Sequence, residues 1–584
     1  MPIIGIDLGT TFSVVAFVDE HGHPDTLLNT EGQPLTASAL WIDEDANMIV
    51  GQLALDSAIA YPDDVITMAK RSMGHDVKLK ARDKEFTPQE VSAIILKKLK
   101  QDAERHFGQP VDDAVITCPA FFGAAETQAT EEAGKMAGFN VRRIFPEPAA
   151  AALAFGYDNP GQEQTLLVYD LGGGTFDITL FKIGAPEPGS TTPKIEMIST
   201  DGDRQLGGAD WNTRVVDWVA EAFVAQQGKT ILLNALKDKV GGEDDVRKAL
   251  DTIGNLPPTA EAVGDELVGL GFDQDRVKTA LKDVAFDPRT VSTTRQELYS
   301  RVERAKIALA RVAKTAVVCQ HEGFSLKVDL MREKFAELTK DLLDRTEQAI
   351  DRLLDAKGYT KDQIHQVLCA GGSTRMSMVR DMLQRKFPGR VNTQIEPDLC
   401  VAQGAARMAK LIETGNPHET TISLSPHAYG VLALGEDGKP HVYPVILKDE
   451  KLPCASARPN EQSRPDYQYG QFYTASDGQA RVPLEVYEFD GLSHQELQDK
   501  ESCRKIGSVF IENLPPNRPR GQQVFATFEL DESLQLTVSA LDVSSGATKS
   551  VQLTLGDAKS DEIQKNAVRS AAMSRLLQDT EVKS

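Results

Sequence analysis

The chain has 584 residues, 41% of them hydrophobic and 26% charged, with 44 glycines; this ordinary globular composition excludes global disorder and collagen-like repeats, and the length suggests roughly four domain-sized units. Its 64 basic and 86 acidic residues leave a net charge of −22, which argues against nucleic-acid backbones and anionic lipid as partners. Cys118, Cys319, Cys369, Cys400, Cys454 and Cys503 are scattered without a CxxC pair, which argues against a disulfide framework or a zinc site and for a reducing compartment.

The start, Met1-Pro2-Ile3-Ile4-Gly5-Ile6-Asp7, has no basic segment before an apolar one, and no apolar run anywhere is long enough to span a bilayer. A soluble cytoplasmic protein, with no membrane and no nucleic acid as partner, is the expectation. Up to about residue 415, short apolar runs alternate with helical patterns, as in an α/β region. Ile3–Ile6, Val14–Val18, Ala114–Thr117, Leu166–Tyr169, Ile178–Phe181 and Val367–Cys369 read as strands. Thr87-Pro88-Gln89-Glu90 is a capping box with proline at the first helical position, and Val91, Ile94, Ile95 and Leu99 follow on one face. A long helix is predicted from Arg332 to about Lys357. Residues 229–296 read as a helical insertion, with helices near Val246–Ile253 and Val277–Val284. After about residue 427 the pattern changes to alternating strands (Val482–Phe489, Val524–Leu530, Leu534–Leu541, Val551–Leu555) separated by turn residues, which predicts an antiparallel β-sandwich. One short helix, capped by Asp561, is expected near the end.

One signal occurs twice. Gly5-Ile6-Asp7-Leu8-Gly9-Thr10-Thr11, followed by Phe12, lies between two strands, and so does Tyr169-Asp170-Leu171-Gly172-Gly173-Gly174-Thr175, which ends in Phe176-Asp177. Glycine turns let backbone N–H groups approach an anion, and threonine hydroxyls add donors. An aspartate so close to phosphate makes sense when a cation with its waters lies between them. One such turn is equally well a plain hairpin, but two long matching copies point to a polyphosphate clamp. A third motif, Leu368-Cys369-Ala370-Gly371-Gly372-Ser373-Thr374-Arg375, runs from a strand into a helix. It reads as a helix N-cap or as a polar-ligand site in which Arg375 stacks on a base. Glu303 and Lys306 share a helix face and, taken alone, read as a solvated pair.

These stretches, with Ala114–Phe122, Glu147-Pro148, Leu206-Gly207-Gly208, Glu303–Lys306, Arg332–Leu338 and Pro397-Asp398, resemble the seventy-kilodalton heat-shock chaperone family in its bacterial, DnaK-like form. The resemblance covers about 1–228 and 297–580. It implies an α/β, actin-like, two-lobed nucleotide-binding domain followed by an all-β sandwich and one short C-terminal helix. The division it suggests is 1–415 for the ATPase with its insertion, 416–426 for the linker, 427–556 for the peptide-binding sandwich and 557–584 for a truncated lid helix. It implies ATP hydrolysis to ADP, at a weak intrinsic rate, that gates the binding of unfolded or extended polypeptide segments. The implied cofactors are ATP/ADP and Mg2+, with K+ as a second cation; a J-domain co-chaperone is an implied partner.

By position in the family motifs, the catalytic residues are Lys70, Glu147, Asp170 and Thr175. The nucleotide contacts are Asp7, Gly9, Thr10, Thr11, Phe12, Gly172, Gly173, Gly174, Thr175, Glu303, Lys306, Gly371, Gly372, Ser373, Arg375 and Asp398. Asp7, Asp170 and Asp177 face the metal, and Pro119 matches the family's proline switch. Val431, Leu434, Phe472, Ala475, Val482 and Leu484 correspond to the peptide groove; the plain alternative is sandwich core, and Val482 and Leu484 fit either.

The chain departs from the family in three places. After Leu555 only residues 556–584 follow, about 44 Å even as a single helix, so the lid bundle is missing and peptide off-rates should be fast. The linker, Glu419-Thr420-Thr421-Ile422-Ser423-Leu424-Ser425-Pro426, has only two apolar residues where the family has consecutive leucines, which predicts weakened docking. The insertion falls where the family meets its nucleotide exchange factor and argues against that partner. The leading expectation is an ATP-dependent chaperone; the alternative is an ATP-regulated adaptor or sensor with little folding activity, and a sugar kinase of the same superfamily is a third, disfavoured reading.

Overall fold

The computed structural model describes residues 2–158, 163–185, 193–415, 421–434, 439–456, 471–473, 476–478, 482–490, 498–511, 517–542, 548–552, 569–577 and 582–583. Two α/β lobes repeat one arrangement. In the first, strand Ile3–Asp7 pairs antiparallel with Phe12–Val18 and parallel with Asp113–Cys118. In the second, Gln164–Leu171 pairs antiparallel with Phe176–Gly184 and parallel with Gln366–Ala370. Each Asp-Leu-Gly loop therefore joins the two strands of a central hairpin. These strands are nearly continuous apolar runs because helices cover both sheet faces.

Helices Glu147–Asp158 and Cys400–Thr414 cross between the lobes. A Cβ on Gly404 would lie 1.9 Å from the Ala150 carbonyl oxygen, so only glycine permits this crossing. Their apolar faces join Val115 and Phe145 of the first sheet to Leu166, Val168 and Leu368 of the second in one core.

The capping box is present at Thr87, and helix Pro88–Phe107 follows it. The long helix expected over 332–357 is two: Arg332–Leu338 and Lys340–Lys357. Thr339 breaks it, with φ −121° and its hydroxyl donating back to the Phe335 carbonyl at 2.8 Å. The insertion folds as helices Lys229–Leu236, Glu243–Ile253, Ala260–Gly269 and Gln274–Leu281. It is no detached module: Val246, Leu250, Val263, Leu267 and Val277 share a core with Val219 and Phe223 of the second lobe.

Beyond the lobes, one sheet orders Gln498–Asp499, Pro440–Ile446, Ala428–Leu434, Val482–Phe489 and Arg504–Ile511. A second orders Cys454–Ala455, Gln523–Leu530, Leu536–Asp542 and Thr548–Gln552, with Gln471–Tyr473 also on Gln523–Leu530. Their facing side chains, among them Val431, Leu484, Val486, Phe528 and Val538, form one core, and Ala124 and Ala125 of the first lobe join it. The sandwich is thus docked on the lobes.

The linker differs from its sequence expectation. Strand Thr421–Ile422 adds in parallel to the edge of the second-lobe sheet, with Ile195 opposite Thr421 and Glu196 opposite Ile422. Leu424 is buried in the core between the lobes. Backbone pairing and one leucine do what the sequence suggested needed a leucine run.

The tail also packs back. Residues 569–577 are helical; the expected cap at Asp561 lies outside the described residues. Arg569 donates to both carboxylate oxygens of Glu90 at 2.6 and 2.7 Å and to the Glu85 carbonyl at 2.8 Å. Met573, Leu577 and Val582 enter the first-lobe core, and Lys583 exchanges backbone hydrogen bonds with Met48 and Val50. Leu577 is only 1% exposed. Leu577→Ala should therefore cost roughly 2–4 kcal/mol and lower the calorimetric transition of the first lobe; an unchanged transition would mean that the tail adds nothing to that core.

Candidate active site

The two glycine loops face each other across the cleft. A Cβ built on Gly173 or Gly174 would come within 2.4 Å of the Thr11 or Thr10 side chain, respectively, so the bare backbone of one loop abuts the hydroxyls of the other. Ser38 fixes the first loop by donating to the Gly9 carbonyl at 2.8 Å, and Gly9 N–H donates to Ser13 Oγ at 3.2 Å. Phe12 is half-exposed at the loop's end and Thr10 is buried. In the second loop Gly172 N–H donates to the Thr175 carbonyl at 3.0 Å. The loop leans on the N-terminus of helix Gly208–Phe223: Gly208 and Ala209 N–H donate to the Gly172 and Gly173 carbonyls at 2.9 Å.

The third motif meets this same point. Ser373 Oγ donates to the Gly172 carbonyl at 2.8 Å, and Lys306 Nζ donates to the Gly208 carbonyl at 3.0 Å while pairing with Glu303 at 2.8 Å. Glu303 and Lys306 are therefore no solvated surface pair, because Lys306 is buried. Gly371 and Gly372 lie between Leu171 and Asp398. Arg375 is held by Asp398 at 2.6 Å and Glu396 at 2.8 Å, which fixes its guanidinium plane.

At the floor of the cleft a buried ammonium meets a cluster of carboxyl groups. Lys70 sits in the short 3-10 helix Ala69–Ser72, donates to the Leu8 carbonyl and pairs with Glu147 at 2.5 Å. Thr117 donates to Asp7 at 3.1 Å, and Phe121 N–H donates to Asp177 at 2.8 Å. Burial, then Glu147, push Asp7 up to about 7 and Asp177 up to about 8. The same two causes raise Asp170 well above the carboxylate range. Burial opposes the charge on Lys70, but Glu147 and Asp7 beside it more than offset this and hold its pKa above the usual value. The geometry thus concentrates negative charge that one lysine only partly balances. Hard oxygen donors with unmet charge fit a hydrated divalent cation. Among the described residues no three His, Cys, Asp or Glu side chains converge as a direct ligand set.

Sequence reasoning missed Arg71 and Asp210. Asp210 accepts from Gly207 N–H at 2.8 Å at the head of helix Gly208–Phe223. The Gly207-Gly208-Ala209-Asp210 spacing carries that capping signal, whereas nothing in the sequence pairs it with Arg71. Of the expected groove residues, Val431 and Leu484 are buried in the sandwich core. The Leu434, Phe472 and Val482 side chains and Ala475 lie outside the described residues.

The site also touches the sandwich. The Phe121 carbonyl, one residue's width from Asp177, accepts from Arg204 Nε at 3.1 Å and faces His427 Nε2 at 3.0 Å. Arg204 then pairs with Glu488 at 2.7 Å and Glu126 at 3.2 Å. Ala124 N–H donates to the Tyr429 hydroxyl at 3.1 Å.

The family model described as Hsp70 protein matches residues 3–81, 75–239 and 260–584; the unmatched stretch lies inside the helical insertion. The chain is 33% identical over 578 residues to the chaperone protein DnaK of Thermotoga neapolitana, covering 97% of this chain and 83% of that protein. It is 34% identical over 550 residues to the chaperone protein DnaK of Thermosipho melanesiensis, covering 93% and 78%.

The raised carboxyl values carry a stability prediction. In the folded state Asp177 holds its proton to about pH 8, against 3.8 ordinarily. Its contribution is therefore full below the unfolded value and is lost as pH rises toward the folded one. Without ligands, Asp177→Asn keeps the acceptor for Phe121 N–H and removes the buried charge. Its gain in melting temperature over wild type should grow from pH 5 to pH 8 and then level off; a pH-independent difference would contradict the assignment.

Proposed function

This chain belongs to the Hsp70 family, and from that premise we propose how its parts divide the work. The protein is an ATP-dependent molecular chaperone with ATPase activity, and it binds unfolded polypeptide. We assign residues 1–415 to the ATPase, 416–426 to the linker, 427–556 to the sandwich that holds peptide and 557–584 to a lid segment.

In our reading the loops Gly9–Phe12 and Gly172–Thr175 cradle the phosphates from the two lobes, with backbone N–H groups and the Thr10, Thr11 and Thr175 hydroxyls as donors. Glu303, Lys306, Gly371, Gly372, Ser373, Arg375 and Asp398 form the adenosine side; the Asp398–Arg375 pair supports a flat guanidinium surface for the base. Lys70 holds the attacking water against the γ-phosphate as a point charge, and Glu147 fixes the ammonium. Asp170 and Thr175 orient that water for in-line attack. Mg2+, when bound, would neutralise charge developing on the phosphates, held through water by Asp7, Asp170 and Asp177.

The observation that carries the coupling is the docked linker together with the Asp177–Phe121–His427 contact. Whatever changes the hydrogen bond at Asp177 changes the position of the Phe121 carbonyl on which the sandwich rests. Coupling needs contacts that differ between two states, and we propose that this chain of bonds is made in one and broken in the other. Val431 and Leu484 belong to the core between the two sandwich sheets; of the groove residues expected from the sequence, we keep Leu434, Phe472, Ala475 and Val482 as the peptide-facing set. We propose a J-domain co-chaperone as the stimulating partner; the insertion on the second lobe argues against an exchange factor of the usual shape. The free cysteines support a reducing, cytoplasmic setting.

Two measurements test this. Lys70→Ala should lower single-turnover hydrolysis at least tenfold while ATP still binds; an unchanged rate would remove Lys70 from the mechanism. Peptide affinity, read by fluorescence anisotropy, should differ at least about fivefold between ATP and ADP. Equal affinities would favour the adaptor reading.

A further inference from the structure

Arg71 follows Lys70 in the same short helix but points the other way. Lys70 stays within the first lobe, on Leu8 and Glu147. Arg71 crosses the cleft: its Nε donates to the Gly174 carbonyl at 2.9 Å, one terminal nitrogen donates to Asp210 Oδ1 at 3.3 Å, and the other meets Asp210 Oδ2. Its side chain is 20% exposed and that of Asp210 28%, so the pair is largely shielded and better placed than a surface ion pair to contribute.

What it grips is specific. Gly174 belongs to the second glycine loop. Asp210 caps the helix on whose first N–H groups the Gly172 and Gly173 carbonyls rest. One guanidinium therefore holds the loop and the helix that supports it, and it hangs from the residue next to the catalytic lysine. A planar fork with an extra Nε–H suits this three-point hold, and an ammonium does not.

We propose that Arg71 is a positioning residue that fixes the second phosphate loop against Lys70, and so sets both how long nucleotide stays in the cleft and how well the lysine is aimed; this rests on the nucleotide-site reading above. Breaking the hold loosens one wall of the cleft without removing any group assigned to touch phosphate. Alignment errors near 1 Å at a reacting centre cost on the order of a hundredfold in rate, so hydrolysis depends on the same contact.

The test uses the full-length protein with a fluorescent ADP analogue in stopped flow, and single-turnover ATP hydrolysis beside it. Arg71→Ala should release ADP at least tenfold faster and hydrolyse ATP at least tenfold more slowly. Arg71→Lys, which keeps the charge but loses the fork, should be intermediate in release. Asp210→Asn keeps an acceptor for Gly207 N–H and removes the ionic partner; it should speed release, and the double variant Arg71→Ala/Asp210→Asn should release no faster than Arg71→Ala alone. A common melting temperature across the set would show that the effects are not unfolding. Wild-type ADP release in Arg71→Ala, or effects that multiply in the double variant, would overturn the proposal. Failure of wild type itself to bind the analogue would overturn the nucleotide-site reading, and this proposal with it.

Discussion

A buried lysine surrounded by carboxyl groups sets the terms for this molecule. Lys70 is 5% exposed and lies against Glu147, with Asp7 close enough to raise its pKa further. Burying such a set is unfavourable unless every charge has a partner. One ammonium cannot balance Glu147, Asp7, Asp170 and Asp177 together, and three of those carboxyls respond by holding protons well above their ordinary range. The cleft floor is therefore electrostatically incomplete in the isolated chain. A tightly built protein that keeps such a deficit gains from a ligand that brings cationic charge with it.

The same floor connects to the sandwich through one residue and the hydrogen bonds on its two sides. Phe121 N–H is on Asp177, and the carbonyl of the same residue is on Arg204 and opposite His427. Two further features make docking strong enough to matter. The linker is stitched into the second-lobe sheet by backbone bonds. A charge group in which buried Glu126 and Glu488 meet the partly exposed Arg204 and Arg504 straddles the contact. Removing one member would strand the others, so such a group favours one docking geometry over near alternatives. With the linker docked, its changed sequence no longer argues for an adaptor, and the family relationship favours the chaperone.

What the sequence disclosed was local. The twin Asp-Leu-Gly turns, the Thr87 capping box and the insertion helices each depend on residues within a few positions of one another, where spacing and turn chemistry speak directly. The third motif became informative only through resemblance, since Ser373 acts on Gly172 across 201 positions. What stayed hidden was non-local or carried by the backbone. Linker docking uses main-chain pairing that leaves no side-chain signature. The helix break at Thr339 has neither glycine nor proline to announce it. Arg71 finds Asp210 across 139 positions, and Arg569 finds Glu90 across 479.

The insertion acquires meaning from where it is anchored. Helix Gly208–Phe223 begins under the second glycine loop and runs 16 residues, about 24 Å, before passing through Val224–Gly228 into the first inserted helix. Val215, Val219 and Phe223 on that helix share a core with Leu250, Leu267 and Leu281 of the insertion. Packed cores transmit displacement because they have little room to yield. The added helices are therefore packed as one unit with the helix whose head supports the second glycine loop. The insertion thus packs on the helix whose other end carries Asp210, the partner of Arg71 across the cleft.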